Sequence, residues 1–215
     1  GTDVRGVVGG KLREPYKASV YFGEVAPNIS FPNKSALYLS GKGDHDIAVN
    51  ITGIPKVSIR IYKIYENNIE RFLSGVSSYD YDGESSYNYY GELSDLADVV
   101  YDKEIETKNL PKFRNTRLLH LNTDERRMYK GIYYIQLRSN NDYYNTANKL
   151  VSVSDIGLIV KQGKDHVMIC ANSIATAQPL AGVRLNLVSS NNQTMTTVST
   201  NPEGVALVKN LSQLA

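Results

Sequence analysis

The chain carries three histidines, His45, His120 and His166, and these are the residues most able to hold a metal or move a proton. Such chemistry needs several polar groups converging on one point. His45 stands between Asp44 and Asp46 in GKGDHDI. In an extended segment immediate neighbours point to opposite faces, so the trio does not converge and reads as a solvated turn. His120 falls inside the alternating run TRLLHLN, and His166 opens a strand beside Asp165. No two histidines have i, i+4 spacing, which excludes a zinc-binding helix of that type. Cys170, the single cysteine, lies in Val167-Met168-Ile169-Cys170 and reads as a small buried hydrophobe. One cysteine makes neither an internal disulfide nor a multi-cysteine metal site.

A Gly-x-Ser-x-Gly nucleophile elbow is absent from the sequence. The Gly-rich fragments RGVVGGK (Arg5–Lys11) and SGKGD (Ser40–Asp44) lack the Gly-x-x-x-x-Gly-Lys-Ser/Thr spacing of a phosphate cradle. The remaining carboxylates are scattered over turns. The expectation is therefore a non-enzyme with no catalytic residues, no cofactor and no metal.

Composition bounds the rest. With 41% hydrophobic and 21% charged residues the chain has the profile of a folded protein. Its net charge of +2, with both signs interspersed, argues against nucleic acid as a partner. No apolar run is long enough for a membrane-spanning helix, so no membrane insertion is expected.

The elements that would position any site have period two. YKASVYFGEV (Tyr16–Val25) alternates its faces; SALYLSG (Ser35–Gly41), DIAVNITG (Asp46–Gly53) and KVSIRIYKIY (Lys56–Tyr65) follow, then DVVYDKEIET (Asp98–Thr107), TRLLHLN (Thr116–Asn122) and GIYYIQLRS (Gly131–Ser139), runs filled by β-branched and aromatic residues. Gly, Pro, Asn or Asp bounds most of them. That pattern predicts many short antiparallel strands and an all-β sandwich. One stretch departs from it. Glu70–Leu96 has no sustained period and is dense in Tyr, Ser, Asp and Gly. It reads as a long excursion with a helical turn near Ile69–Leu73. Its tyrosines Tyr79, Tyr81, Tyr87, Tyr89 and Tyr90 either pack over an open end of the sandwich or form an interaction loop for sugars or peptides.

The polar, turn-forming run Ser139–Lys149 places a boundary before a second set of strands, LVSVSDIGLIVK, DHVMICANS, GVRLNLVSS, TMTTVST and GVALVKN. The expected organisation is an N-terminal linker over 1–11, a first sandwich over 12–149 and a second over 150–215. The last spans about 65 residues against about 100 for a full sandwich, so it is expected to be incomplete.

The second set opens with Ser154-Asp155-Ile156-Gly157, followed by Leu158; Pro179, Gly182 and Val183 come later, then Thr200, Asn201, Gly204 and Val205. A strand carrying Ser/Thr-Asp-Ile/Leu-Gly-Leu, a Pro-x-x-Gly-Val loop and a Thr-Asp/Asn-x-x-Gly-Val turn together resemble a macroglobulin domain of the bacterial alpha-2-macroglobulin family. The likeness covers about Leu150–Val208, and residues 12–149 resemble the preceding domain more loosely. The resemblance implies two consecutive antiparallel sandwiches of the macroglobulin or fibronectin-III-like kind. It also implies a scaffold fragment of a protease-trapping protein, sited in the periplasm or at the cell surface, with attachment as part of a lipoprotein one option. The implied partners are other domains of the same parent chain and, through the full-length protein, host or competitor proteases. Cys170 is followed by Ala171-Asn172-Ser173, so the family's Cys-x-Glu-Gln thioester is not carried over onto it. Asp155 would accept hydrogen bonds at a domain junction, and Gly157 would allow close approach of a neighbouring chain. The alternative is a ligand- or glycan-binding module of a cell-surface adhesin that uses the tyrosine-rich loop.

Overall fold

The structure is a computed structural model, and it describes residues 4–11, 13–15, 17–21, 23, 25–33, 37–39, 46–77, 88–89, 93–122, 128–142 and 144–214. His45, Tyr79, Tyr81, Tyr87 and Tyr90 lie outside the described residues. In the first unit the strands are β1 (Asn28–Ser30), β2 (Leu37–Leu39), β3 (Asp46–Thr52), β4 (Lys56–Ile64), β5 (Val76–Ser77), β6 (Asn88–Tyr89), β7 (Ala97–Glu106), β8 (Lys112–Phe113), β9 (Thr116–Asn122), β10 (Gly131–Ser139) and β11 (Thr146–Val153), with a helix α1 (Ile69–Gly75) between β4 and β5. The second unit contributes β12 (Ile156–Gln162), β13 (His166–Ser173), β14 (Arg184–Val188), β15 (Thr194–Ser199) and β16 (Val205–Lys209). The fold is nearly all β and predominantly antiparallel.

Two sheets face each other in the first unit, in the orders β1-β3-β9-β8 and β2-β11-β10-β4-β7. Alternation explains the core between them. Val57, Ile59 and Ile61 of β4 are completely buried, and so are Val49 and Ile51 of β3 across from them. The other face of β4 and β10 is also covered. Phe72 of α1 and Leu96 seal Tyr62, Ile64 and Tyr134 into a second cluster, with the Phe72 ring edge-on to Tyr134 at 5.4 Å. The helical turn expected near Ile69–Leu73 is thus α1, and α1 with Leu96 covers this face of the sheet. Asn68 ties the ends of that excursion together through its Nδ2, which donates to the Leu96 carbonyl at 2.8 Å.

Three features differ from the expectation. The described residues of Tyr16–Val25 form no strand, and Val20 and Tyr21 are 69% and 93% exposed. Alternation makes a strand only where an edge is available to pair with. Second, β2 joins the edge of β11 in parallel, Val151 opposite Leu37 and Val153 opposite Leu39. Third, β11 runs through to Val153 in full register with β10, so the boundary expected between 149 and 150 falls inside a strand of the first sheet. The polar run before it forms the β10–β11 hairpin turn. There Asp142 accepts from the Tyr144 backbone N–H at 2.9 Å and from Asn145 Nδ2 at 2.6 Å.

The second unit has a three-stranded sheet, β12-β13-β16, and a β14–β15 hairpin. Its core cluster is Val167, Ile169, Leu185 and Ala206, with Val183, Val198 and Leu211 packed against it.

Candidate domain-junction clamp

The chain passes from one unit to the other in two residues, Ser154 and Asp155, between β11 and β12. The Ser154 backbone N–H looks back and donates to the Leu39 carbonyl of β2 at 2.9 Å, while its Oγ accepts from the Ile156 N–H at 3.0 Å. Asp155 looks forward. Its Oδ2 accepts from Ser173 Oγ at 3.0 Å, its Oδ1 from the Ala175 N–H at 3.0 Å, and its backbone carbonyl from the Ile174 N–H at 2.8 Å. One residue thereby holds the turn that leaves β13 by three bonds. Charge-assisted bonds of this kind are the stronger class. The same turn is tightened by the Ala177 N–H donating to the Ser173 carbonyl, and Ala177 sits in the left-handed region at φ 58°.

Gly157 completes the arrangement. A Cβ there would stand 3.2 Å from Ile174 Cγ1 and 3.5 Å from the Asn172 carbonyl oxygen, so the absent side chain lets the turn close onto β12. The close neighbour at Gly157 is thus its own domain's turn, whereas Ser154 hydrogen-bonds back to the first unit. Ile156 is 42% exposed.

The two later motifs meet each other. Thr200, buried, donates its Oγ1 hydrogen to the Leu180 carbonyl at 2.6 Å and accepts from the Val183 N–H at 2.9 Å. That fastens the Pro179–Val183 loop to the Asn201–Gly204 turn. Asn201 Oδ1 accepts from the Val205 N–H at 2.8 Å to close the turn itself. Gly204 has φ +73°, and a Cβ would be 2.6 Å from the Ala171 carbonyl oxygen and 2.9 Å from Pro179 Cβ. Only glycine fits there.

Beside the junction the first unit carries a cleft of about 780 Å³, lined by Lys63–Asn67, Ile69, Lys130–Ile132 and Ser152–Ser154. A second contact crosses its far side, where Asn192 Nδ2 in the β14–β15 turn donates to the Asn67 carbonyl at 2.7 Å. Of the tyrosines proposed as an interaction loop, only Tyr89 is described. Its backbone pairs with Val76 in the β5–β6 ribbon at the base of the loop. His120, 57% exposed at its side chain, has its Nδ1 3.9 Å from Asp46 Oδ2. Among the described residues no cluster of three or more His, Cys, Asp or Glu has the geometry to hold a metal ion. Cys170 is half-buried on the outer face of β13, not in the core, because β13 turns Val167, Ile169 and Ala171 inward and the residues between them outward.

Comparison with known families gives two adjoining matches. Residues 31–151 match the bacterial alpha-2-macroglobulin MG2 domain and residues 153–214 the bacterial alpha-2-macroglobulin MG3 domain. The chain belongs to the bacterial alpha-2-macroglobulin family. Among its relatives, the alpha-2-macroglobulin of Xylella fastidiosa strain 9a5c is 25% identical over 209 residues, covering 93% of this chain and 12% of that protein. The Escherichia coli K12 alpha-2-macroglobulin is 19% identical over 211 residues, covering 98% of this chain and again 12% of the relative. The chain thus spans about an eighth of the length of these relatives. A crystal structure of native E. coli alpha-2-macroglobulin spanning domains MG0-NIE-MG1 superposes with a TM-score of 0.68 at 21% identity, over 98% of this chain and 66% of the other. A cryo-EM reconstruction of the native conformation of the E. coli protein gives 0.63 at 20% identity, over 98% of this chain and 13% of that one. These likenesses bear on the fold, which is that of consecutive macroglobulin sandwiches. Among the described residues no helix is long and apolar enough to cross a membrane.

Proposed function

We propose that this chain is non-catalytic scaffold from a bacterial alpha-2-macroglobulin-like, protease-trapping protein of the cell envelope, in the periplasm or at the cell surface. In this reading Ser154-Asp155-Ile156-Gly157 fixes one macroglobulin domain against the next. The observation that carries it is the division of labour at the junction. The Ser154 N–H holds the first unit, and at the very next residue the Asp155 carboxylate organises the second. A linker that short, bonded on both sides, transmits orientation instead of allowing free rotation. Its partners are then other domains of the parent chain, and proteases only by way of the full-length protein.

The test compares the purified chain with the full-length protein, using a protease assayed on a large protein substrate and on a small peptide. A caged protease keeps the small substrate and loses the large one. The full-length protein is expected to give that split, and this chain alone to change neither activity. Stoichiometric inhibition by the chain alone would overturn the scaffold assignment. The adhesin alternative rests on Tyr79, Tyr81, Tyr87, Tyr89 and Tyr90, and family membership accounts for the fold without it. A glycan or peptide array with a Tyr79→Ala/Tyr81→Ala/Tyr87→Ala control tests it directly.

A further inference from the structure

The register of the β12-β13-β16 sheet fixes which side chains share its outer face. Ile159, Cys170 and Val205 form one row, Lys161, Met168 and Leu207 the next, and His166 lies opposite Lys209 beyond them. Ile159 is 59% exposed and Leu207 47%. Both flank half-buried Met168 and Cys170, so the apolar surface is continuous across three strands. Lys161, His166 and Lys209 rim one end, and none of the strand residues on this face is a carboxylate. The edge is bare as well. β12 has β13 on one side and, among the described residues, nothing on the other, and Ile156–Val160 carries no charge. Edge strands that must stay free are protected by charge, proline or a bulge.

We infer that this face is a docking surface for another domain of the same parent chain, one that lays an apolar strand flanked by aspartate or glutamate across β12, β13 and β16. Lys161 and Lys209 at the rim, with no carboxylate among the strand residues of the face, set the chemistry of the occupant. A second copy of this chain fits poorly. Its exposed acidic strand, β7, has Asp102, Glu104 and Glu106 already paired with Arg60, Lys56 and Lys108. An anionic lipid surface fits poorly too, because the face carries no Trp, Tyr or Phe to anchor at an interface. A tethered neighbour is favoured because the relatives are about eight times longer and tethering raises the effective concentration. The inference rests on the scaffold reading in that one respect, that this chain is part of a longer one.

The test uses the full-length protein, prepared as a mixture of isotopically light and heavy molecules. Zero-length carbodiimide cross-linking is expected to join Lys161 or Lys209 to an Asp or Glu outside these 215 residues, in pairs of a single isotope. Acylation of Lys161 and Lys209 should run about fivefold slower than that of Lys164 in the adjoining turn, as expected for a face docked most of the time. Leu207→Glu, at a half-exposed position, should bring all three lysines to the same rate. Equal rates in the unsubstituted protein, with no cross-link leaving the chain, would overturn the inference. So would mixed-isotope pairs, which mean a second copy, or protection seen only with anionic vesicles. Protease trapping that survives alongside equal rates removes this inference and spares the scaffold reading. Cross-links that persist without trapping do the reverse.

Discussion

The two sandwiches solve the same problem by different means. The first buries eighteen of its described apolar residues in one cluster between its sheets and covers the outside of β4 and β10 with a second cluster under α1. The second gathers Val167, Ile169, Leu185 and Ala206 among its described residues and relies on turns locked by Asp155, Thr200 and Asn201 around Gly204, which admits no side chain. Burial is additive and forgiving, whereas hydrogen-bonded turns depend on geometry. A thin core stapled by polar turns is suited to a domain whose remaining apolar surface is met by neighbours.

The sharpest way to break this comparison is to delete core volume in each unit. Ile61 is completely buried between two sheets, so Ile61→Ala should cost about 4 kcal/mol, whereas Ile169→Ala in the thinner core should cost about 2 kcal/mol. Hydrogen exchange on the 215-residue chain resolves the units separately; equal losses would mean that the second core is better packed than its four residues suggest. Next comes the turn chemistry. Gly204→Ala combines a positive φ with contacts far inside van der Waals distance, and should cost about 3 kcal/mol, felt in β13 and β16 and not in the first unit. Asp155→Ala removes two acceptors from the β13 turn and should cost about 2 kcal/mol, again confined to the second unit. Asp155→Asn keeps one acceptor and should recover part of that loss. If either Asp155 change instead destabilised the first unit, the clamp would act across the junction and not within one domain.

The same contrast explains what the sequence makes legible. Strands buried on one face announce themselves: DIAVNIT alternates as its burial does, and so does β4 from Lys56 to Ile61, before Tyr62 and Ile64 join the second cluster on its other face. GIYYIQLRS is different. Tyr133, Tyr134, Ile135, Gln136 and Leu137 are all buried, and α1 covers Tyr134 on the face that alternation assigns to solvent. The consecutive apolar residues Ile132-Tyr133-Tyr134-Ile135 were the available sign of a two-sided strand. The boundary was misplaced because Asn and Asp mark hairpin turns as readily as linkers. At the clamp, Asp155 and the glycines were visible as a motif. Their partners were not, since Ser173 and Ala175 reach Asp155 only through the β12–β13 register, eighteen and twenty residues away.

The smallest effect sharpens the comparison from the first unit's side. Lys149 stands on the core face of β11, 3% exposed, with its ammonium donating to the Asn33 carbonyl and lying 5.2 Å from the Phe31 ring centroid. Burial disfavours the charged form and holds its pKa below the ordinary lysine value. The sign follows from proton binding. Between the folded pKa and the unfolded value of about 10.4, the unfolded chain binds more protons, so stability rises as pH climbs through that window. Lys149→Met removes the titration and keeps the length of the side chain. It should flatten that rise and leave stability at pH 7 within about 1 kcal/mol of the parent, or slightly above it. Urea unfolding at pH 7 and pH 10 reads both. A loss of several kcal/mol at pH 7 would show that the bond to Asn33 outweighs desolvation, and that the first sandwich too depends on a polar staple.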